Sequence, residues 1–181
     1  MKNWICFFSQ TGSEIYEVSK KLNIKPTLII TNKKDISNIN KDIYKLKTPI
    51  IYLPFKPTLE DYKAIIDRFP GIFSDCIITL HGYLRIIPKE ICDEFEIYNL
   101  HPGLITKYDF LKGFNPQEKA YNMKLKSSGV VIHRVIDRVD SGDILKAKEI
   151  SIENCTLDEI YKKLHDLATV EWVKFLKKIL C

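Results

Sequence analysis

Trp4-Ile5-Cys6-Phe7-Phe8 is an unbroken apolar run near the start of the chain. Ser9-Gln10-Thr11-Gly12-Ser13 follows it at once, and then a helical pattern runs from Glu14 to Leu22. An apolar run without alternation reads as a strand covered on both faces, which is the habit of parallel sheets. A strand, a short turn of small polar residues and a helix start make one βα unit. Backbone amides left free at such a turn favour an anion. An ordinary βα turn with Ser13 as N-cap explains the same residues, and Glu14, which suits a helix start, opposes a phosphate there. Both readings of the turn stand at this point.

The pattern recurs. Thr27–Thr31 and Pro49–Leu53 read as strands, with a polar, Lys- and Asn-rich stretch from Asn32 to Lys47 between them that suits a short helix with loops. Thr58 caps a helix to about Phe69, whose Leu59, Tyr62, Ile65, Ile66 and Phe69 have helical spacing. Asp75–Leu80 is a fourth buried strand, and Pro88 opens another helix. Gly129–Val135 alternates loosely, as a strand with one more exposed face, on which His133 points away from Ile132 and Arg134. Ile144–Ile152 is a further strand. Thr156 caps a last helix carrying a stripe of Leu157, Ile160, Tyr161, Leu164, Leu167, Ala168, Trp172, Phe175, Leu176 and Ile179, read as core packing. Strands alternating with helices over 181 residues, with no repeat or linker, predict one α/β domain over residues 1–181. The expected architecture is Rossmann-like, an open and mainly parallel sheet flanked by helices.

Hydrophobic residues make up 45% of the chain, enough for a full core and against disorder. The net charge of +5 suits an anionic partner, but the lysines are scattered and form no dense basic tract, so no nucleic acid is expected. Cys6, Cys76, Cys92, Cys155 and Cys181 are odd in number and include no C-x-x-C pair, which argues against a disulfide framework or a zinc site and for reduced thiols in a cytoplasmic protein. Cys6 and Cys76 are expected in the core. No stretch has the pattern of a signal peptide or the length to span a membrane.

The chemistry centres on Asn99-Leu100-His101-Pro102-Gly103, which follows the apolar stretch Phe95-Glu96-Ile97-Tyr98. This places a polar cluster at the carboxyl end of a strand, where open α/β sheets bind ligands. Asn99 and His101 are two residues apart, so on extended backbone they share a face, and Pro102 keeps His101 out of a helix. An amide that donates to an oxyanion beside an imidazole that moves a proton suits acyl transfer. Arg85, just past the fourth strand, reads either as a ligand contact or as a surface residue. Asp140 reads either as a turn residue or as a catalytic one.

Three stretches together resemble the folate-dependent formyltransferase family, its glycinamide ribonucleotide branch above all. Gly82-Tyr83-Leu84-Arg85-Ile86-Ile87 is similar to the family's segment lining the folate pocket. Asn99 to Tyr108, followed by Lys112-Gly113, resembles its Asn-x-His-Pro segment. Ser128 to Val135, leading to Val139-Asp140-Ser141-Gly142, resembles its Gly-x-Thr-x-His strand and Asp-x-Gly turn, with Val131 in place of Thr.

The resemblance implies 10-formyltetrahydrofolate as donor, a small amine acceptor, possibly one carrying phosphate, and no metal. It makes Asn99, His101 and Asp140 the catalytic trio, with a protonated His101. It places Leu84, Arg85, Ile86, Ile87 and the loop with Asp137 and Val139 around the pterin. Thr11, Gly12, Ser13, Pro102 and Gly103 are assigned to the acceptor. Gln10 stands where the family has Gly and Glu14 where it has Asn; after Gly113 the chain reads Phe114-Asn115-Pro116-Gln117-Glu118, and Ala168-Thr169 replaces a Glu-His pair. Glycinamide ribonucleotide is the first candidate acceptor, and an amino sugar on a nucleotide the second. Formyltetrahydrofolate hydrolysis and a non-catalytic binding role on the same fold are the other readings. Relatives that act on methionyl-tRNA carry an extra C-terminal domain and the hydrolases an N-terminal one, and neither is expected here. A monomer or homodimer is expected.

Overall fold

A computed structural model describes residues 2–33 and 35–180. Cys181 lies outside the described residues. Seven strands form one sheet: β1 (Asn3–Phe8), β2 (Leu28–Thr31), β3 (Ile50–Tyr52), β4 (Cys76–Leu80), β5 (Ile97–His101), β6 (Ser127–Arg134) and β7 (Ile144–Ser151), in the order β3-β2-β1-β4-β5-β6-β7. The first five are parallel, while β6 runs antiparallel to β5 and β7 antiparallel to β6. The helices are α1 (Ser13–Leu22), α2 (Leu59–Arg68), α3 (Pro70–Phe73), α4 (Lys89–Glu94), α5 (Pro116–Asn122) and α6 (Leu157–Leu180). None of the described helices is long and apolar enough to cross a membrane. The α/β reading with a mainly parallel sheet matches this architecture.

The period of two along each strand sorts its residues between two cores. Trp4, Cys6 and Phe8 join Ile29, Tyr98 and Leu100 on the face covered by α1 and α6, with Ile15, Val18, Leu164 and Trp172. Ile5 and Phe7 join Ile30, Ile78 and Ile97 on the other face, with Tyr62 and Ile65 of α2 and Ile91 of α4. Burying both faces explains why β1 is apolar at every position from Trp4 to Phe8. Cys6, Cys76 and Cys92 are buried, and burial pushes the Cys76 and Cys92 thiols up to about 11.

Several boundaries differ from expectation for local reasons. Gly12 caps α1, and Ser13 is the first helical residue. Gly12 sits at φ +71, and a Cβ there would come within 2.7 Å of Ile43 Cδ1, so backbone and packing both demand glycine. The stretch 36–46 forms the two 3-10 turns Ile36–Asn38 and Lys41–Leu46 rather than an α-helix. Thr58 and Asp61 form the expected capping box on α2, and Thr156 and Glu159 exchange the same pair of bonds at α6. The single exposed face expected for β6 is overturned. Its residues from Ser128 to His133 are all buried, because Val130, Val131 and Ile132 pack into the core with Leu164 and Trp172 of α6. Of the two edge strands, β3 and β7, it is β7 that is mostly exposed. Helix α5, opened by Pro116, was not anticipated from the sequence.

Candidate active site

Asn99 and His101 lie within β5 rather than beyond it. The strand continues through them because Leu80 of β4 pairs with Asn99 on one side, and His133 and Val131 of β6 pair with Asn99 and His101 on the other. In register, both side chains share the face of Leu80 and Ile97. The turn after β6 then brings Asp140 back over them. Asp140 holds φ at +47, a left-handed backbone that Asp tolerates better than most residues and that marks stored strain.

The three expected residues meet there. Asp140 Oδ2 is 3.1 Å from His101 Nδ1, and Asn99 Nδ2 makes a long contact of 3.5 Å to Asp140 Oδ1. His101 Nε2 lies 2.8 Å from the Leu111 carbonyl, so both ring nitrogens face oxygens. Gly113 N–H donates to Asp140 Oδ2 at 2.8 Å. The segment around the 3-10 turn Asp109–Leu111 is therefore tied directly to the trio. Burial is the largest influence on His101 and lowers its pKa below the ordinary value, while Asp140 and the Leu111 carbonyl pull the other way. For Asp140 burial pushes up, but the charge of His101 and the Gly113 amide together hold the carboxyl below its usual range.

His133 belongs to this cluster and was missed as a site residue. Its Nδ1 is 2.9 Å from the Arg134 carbonyl, which requires a proton on that nitrogen. Its Nε2 is then an acceptor, 3.2 Å from Asn99 Nδ2, and lies 3.3 Å from Asp140 Oδ1. The signal was its register opposite Asn99, which a single strand's pattern does not reveal.

A cavity of about 920 Å³ runs along the carboxyl edge of β1, β4 and β5. Asn99, His101, Asp140, Pro102, Leu84, Arg85, Ile86, Ile87, Val139, Thr11, Gly12 and Ser13 all line it. Two expected residues do not. Asp137 is exposed and lies outside the lining. Gly103 packs behind His101, where a Cβ would lie 2.9 Å from Nε2. Leu84, Ile86 and Val139 present exposed apolar surface at the mouth, which suits a flat heterocycle. Arg85 ties its loop to the segment after β3: Nε donates to the Phe55 carbonyl at 2.8 Å, Nη1 to that of Leu84 at 2.7 Å, and the guanidinium lies 4.3 Å from the Phe55 ring centroid.

The opposite wall holds a second polar group. Glu14 Oε2 accepts from His81 Nδ1 at 2.7 Å and from Trp172 Nε1 at 3.2 Å. His81 Nε2 meets Thr79 Oγ1 at 2.9 Å, and that hydroxyl accepts from Trp4 Nε1 at 2.8 Å. Neither His81 nor Trp172 was expected at the site. They come together only because α6 packs across α1.

The comparisons agree with this geometry. A family model described as formyl transferase matches residues 2–175. Phosphoribosylglycinamide formyltransferase of Dictyostelium discoideum is 29% identical over 87% of this chain and 87% of its own length. Methionyl-tRNA formyltransferase of Thermotoga neapolitana is 33% identical over 85% of this chain, but the match spans only 44% of that protein. The solved phosphoribosylglycinamide formyltransferase of Streptococcus pneumoniae TIGR4 superposes over 100% of both chains with a TM-score of 0.85 at 20% identity, a likeness of fold. Matched along nearly its whole length by that family, and carrying an amide, an imidazole and a carboxylate in contact at the carboxyl edge of its sheet, the chain belongs to the formyl transferase family.

Proposed function

We propose that this enzyme moves a formyl group from 10-formyltetrahydrofolate to the primary amine of a small acceptor, with glycinamide ribonucleotide the first candidate. The observation that carries the reading is the convergence of Asn99, His101 and Asp140, with Asp140 in contact with both others. The acceptor amine attacks the formyl carbon and forms the new C–N bond, while the carbonyl electron pair moves to oxygen. Asn99 Nδ2–H, released from its long contact to Asp140, and His101 Nε2–H, released from Leu111, donate to that oxyanion. Collapse reforms the carbonyl and breaks the bond to the folate nitrogen, which takes up the proton lost by the attacking amine. Burial opposes charge on His101 in the resting site. An oxyanion beside the ring adds a second negative charge, so the imidazolium form is favoured in the reacting complex.

The apolar mouth formed by Leu84, Ile86 and Val139 supports a pterin on the face of the sheet that carries the trio. The phosphoribosylglycinamide relative matched over most of its length supports the candidate acceptor. Spectrophotometric turnover of 10-formyltetrahydrofolate tests the reading, with glycinamide ribonucleotide, with an amino-sugar nucleotide and without acceptor. Turnover only with an amine present is expected. Equal turnover without one overturns transfer in favour of hydrolysis, and turnover only with the amino sugar replaces the acceptor.

A further inference from the structure

The chemistry above uses one side of the cavity and leaves Glu14 without a role. Leu80 pairs in register with Asn99, so the trio shares the face of Leu80, while Thr79 and His81 point to the face of α1 and α6. Glu14 lies in the first turn of α1, lines the cavity, and has a side chain 19% exposed. Its surroundings are built rather than incidental. Trp4 N–H donates to the Thr79 hydroxyl. That hydroxyl is 2.9 Å from His81 Nε2, with the Ile5 carbonyl at 3.5 Å and Cys6 Sγ at 3.6 Å its more distant partners, so it donates to the imidazole. The ring proton then sits on Nδ1 and is given to Glu14, and the Trp172 indole adds a second donor. Both donors take the same oxygen, Oε2. Among the described residues no donor takes Oε1, which is left to the cavity.

We propose that Glu14 is a specificity-determining residue for the acceptor. Its Oε1 accepts a hydrogen bond from a hydroxyl or ammonium group of the acceptor, and its charge keeps phosphate off the first turn of α1. The proposal rests on the reading that the acceptor enters this cavity. A carboxylate rewards a ligand that brings N–H or O–H, and like charge placed against it is rejected. The amide end of α1, with Gly12 giving no side-chain cap, would otherwise attract an anion. An acceptor that carries phosphate directs it elsewhere and lays its sugar hydroxyls against Glu14.

Glu14→Gln tests this by reversing one atom. The amide oxygen stays on the His81 and Trp172 donors, and the amide NH2 turns to the cavity, so an acceptor of hydrogen bonds becomes a donor. Ribose and ribose 5-phosphate are titrated into both proteins by NMR, which needs no turnover. The wild type is expected to bind the phosphate ester no tighter than ribose. Glu14→Gln is expected to gain about tenfold for ribose 5-phosphate while losing affinity for ribose. A wild type that prefers ribose 5-phosphate, a variant with unchanged preference, or no binding of either sugar to either protein overturns the proposal. In turnover, the ratio of kcat/KM for glycinamide ribonucleotide to that for its dephosphorylated nucleoside rises about tenfold in the variant, and an unchanged ratio overturns the proposal. Affinity for a stable formyl-folate analogue, measured in parallel, reports on the transfer reading alone. Its loss in the wild type sinks that reading while the sugar titration still decides the role of Glu14.

Discussion

His133 Nε2 lies 3.2 Å from Asn99 Nδ2, and the same ring gives its Nδ1 proton to the Arg134 carbonyl 2.9 Å away. The two contacts together fix how the Asn99 amide is turned, because the ring has only one acceptor left to offer. On the proposed mechanism, His133 thus positions the group that meets the oxyanion. His133→Leu removes the acceptor and frees the amide to rotate. The expected result is a fall in kcat of about tenfold or more, with KM for the folate little changed. His133→Gln, which retains an acceptor, recovers part of that loss. Steady-state kinetics on both variants separate this role from simple loss of folding, since a purely structural defect moves both substitutions together.

Removing the donors themselves costs more. On the proposed mechanism, Asn99→Ala and His101→Ala each take away one group that meets charge developing in the reaction. Loss of such a donor typically lowers kcat by about a hundredfold or more. Single-turnover rates with saturating donor and acceptor measure the chemical step, and near-wild-type rates in either variant remove that residue from the trio.

The fold was legible where the signal is local. The uninterrupted apolar run Trp4–Phe8 requires two covered faces, and two cores take its alternate residues. The spacing of Asn99 and His101 places both on one face of a strand wherever that strand lies in the sheet. Contacts made across the chain were not legible. Asp140 meets Asn99 from 41 residues away, and Trp172 reaches Glu14 from 158 residues away. Neither contact leaves a periodic trace. Glu14 therefore read only as an obstacle to phosphate, with no sign of the His81 and Trp172 donors that hold its Oε2. Gly103 read as an acceptor contact, because a glycine beside a catalytic motif gives no sign of whether it faces the ligand or packs behind the imidazole.

The trio also sets two separate pH windows for stability. His101 has a lowered pKa in the fold, mainly through burial. The unfolded chain therefore binds more protons below about pH 6.5, the ordinary imidazole value. Stability is fully present above that pH and is lost as pH falls through the lowered value. Asp140 is also lowered, with burial outweighed by the charge of His101 and the Gly113 amide. Its contribution is present above about pH 4, the ordinary carboxyl value, and is lost only at more acid pH. Urea unfolding of the wild type from pH 8 to pH 3 should show loss in both windows. His101→Gln should flatten the upper one, and Asp140→Asn the lower. A His101→Gln curve parallel to the wild type across the upper window contradicts the assignment.

Gly142 controls where the Asp140 carboxylate ends up. A Cβ on Gly142 would stand 1.9 Å from the Arg134 carbonyl oxygen, a backbone atom that cannot swing aside. Arg134 N–H donates to the Asp143 carbonyl at 2.9 Å to close the turn, so a methyl group must open the hairpin between β6 and β7. Asp140, held at φ +47 inside that turn, moves with it. Gly142→Ala is expected to cost about 2 kcal/mol or more in stability, in the range of mutations that force backbone strain. It should also lower kcat as far as Asp140→Asn does, because the carboxylate no longer reaches His101. Gly71→Ala supplies the contrast. Nothing lies within 4 Å of the Cβ it would add in α3, and alanine restricts the unfolded chain, so a gain of about 0.5 kcal/mol is expected with kinetics unchanged. Chemical denaturation and steady-state kinetics on the two variants decide the matter. If Gly142→Ala keeps wild-type kcat, the turn does not hold Asp140 in place.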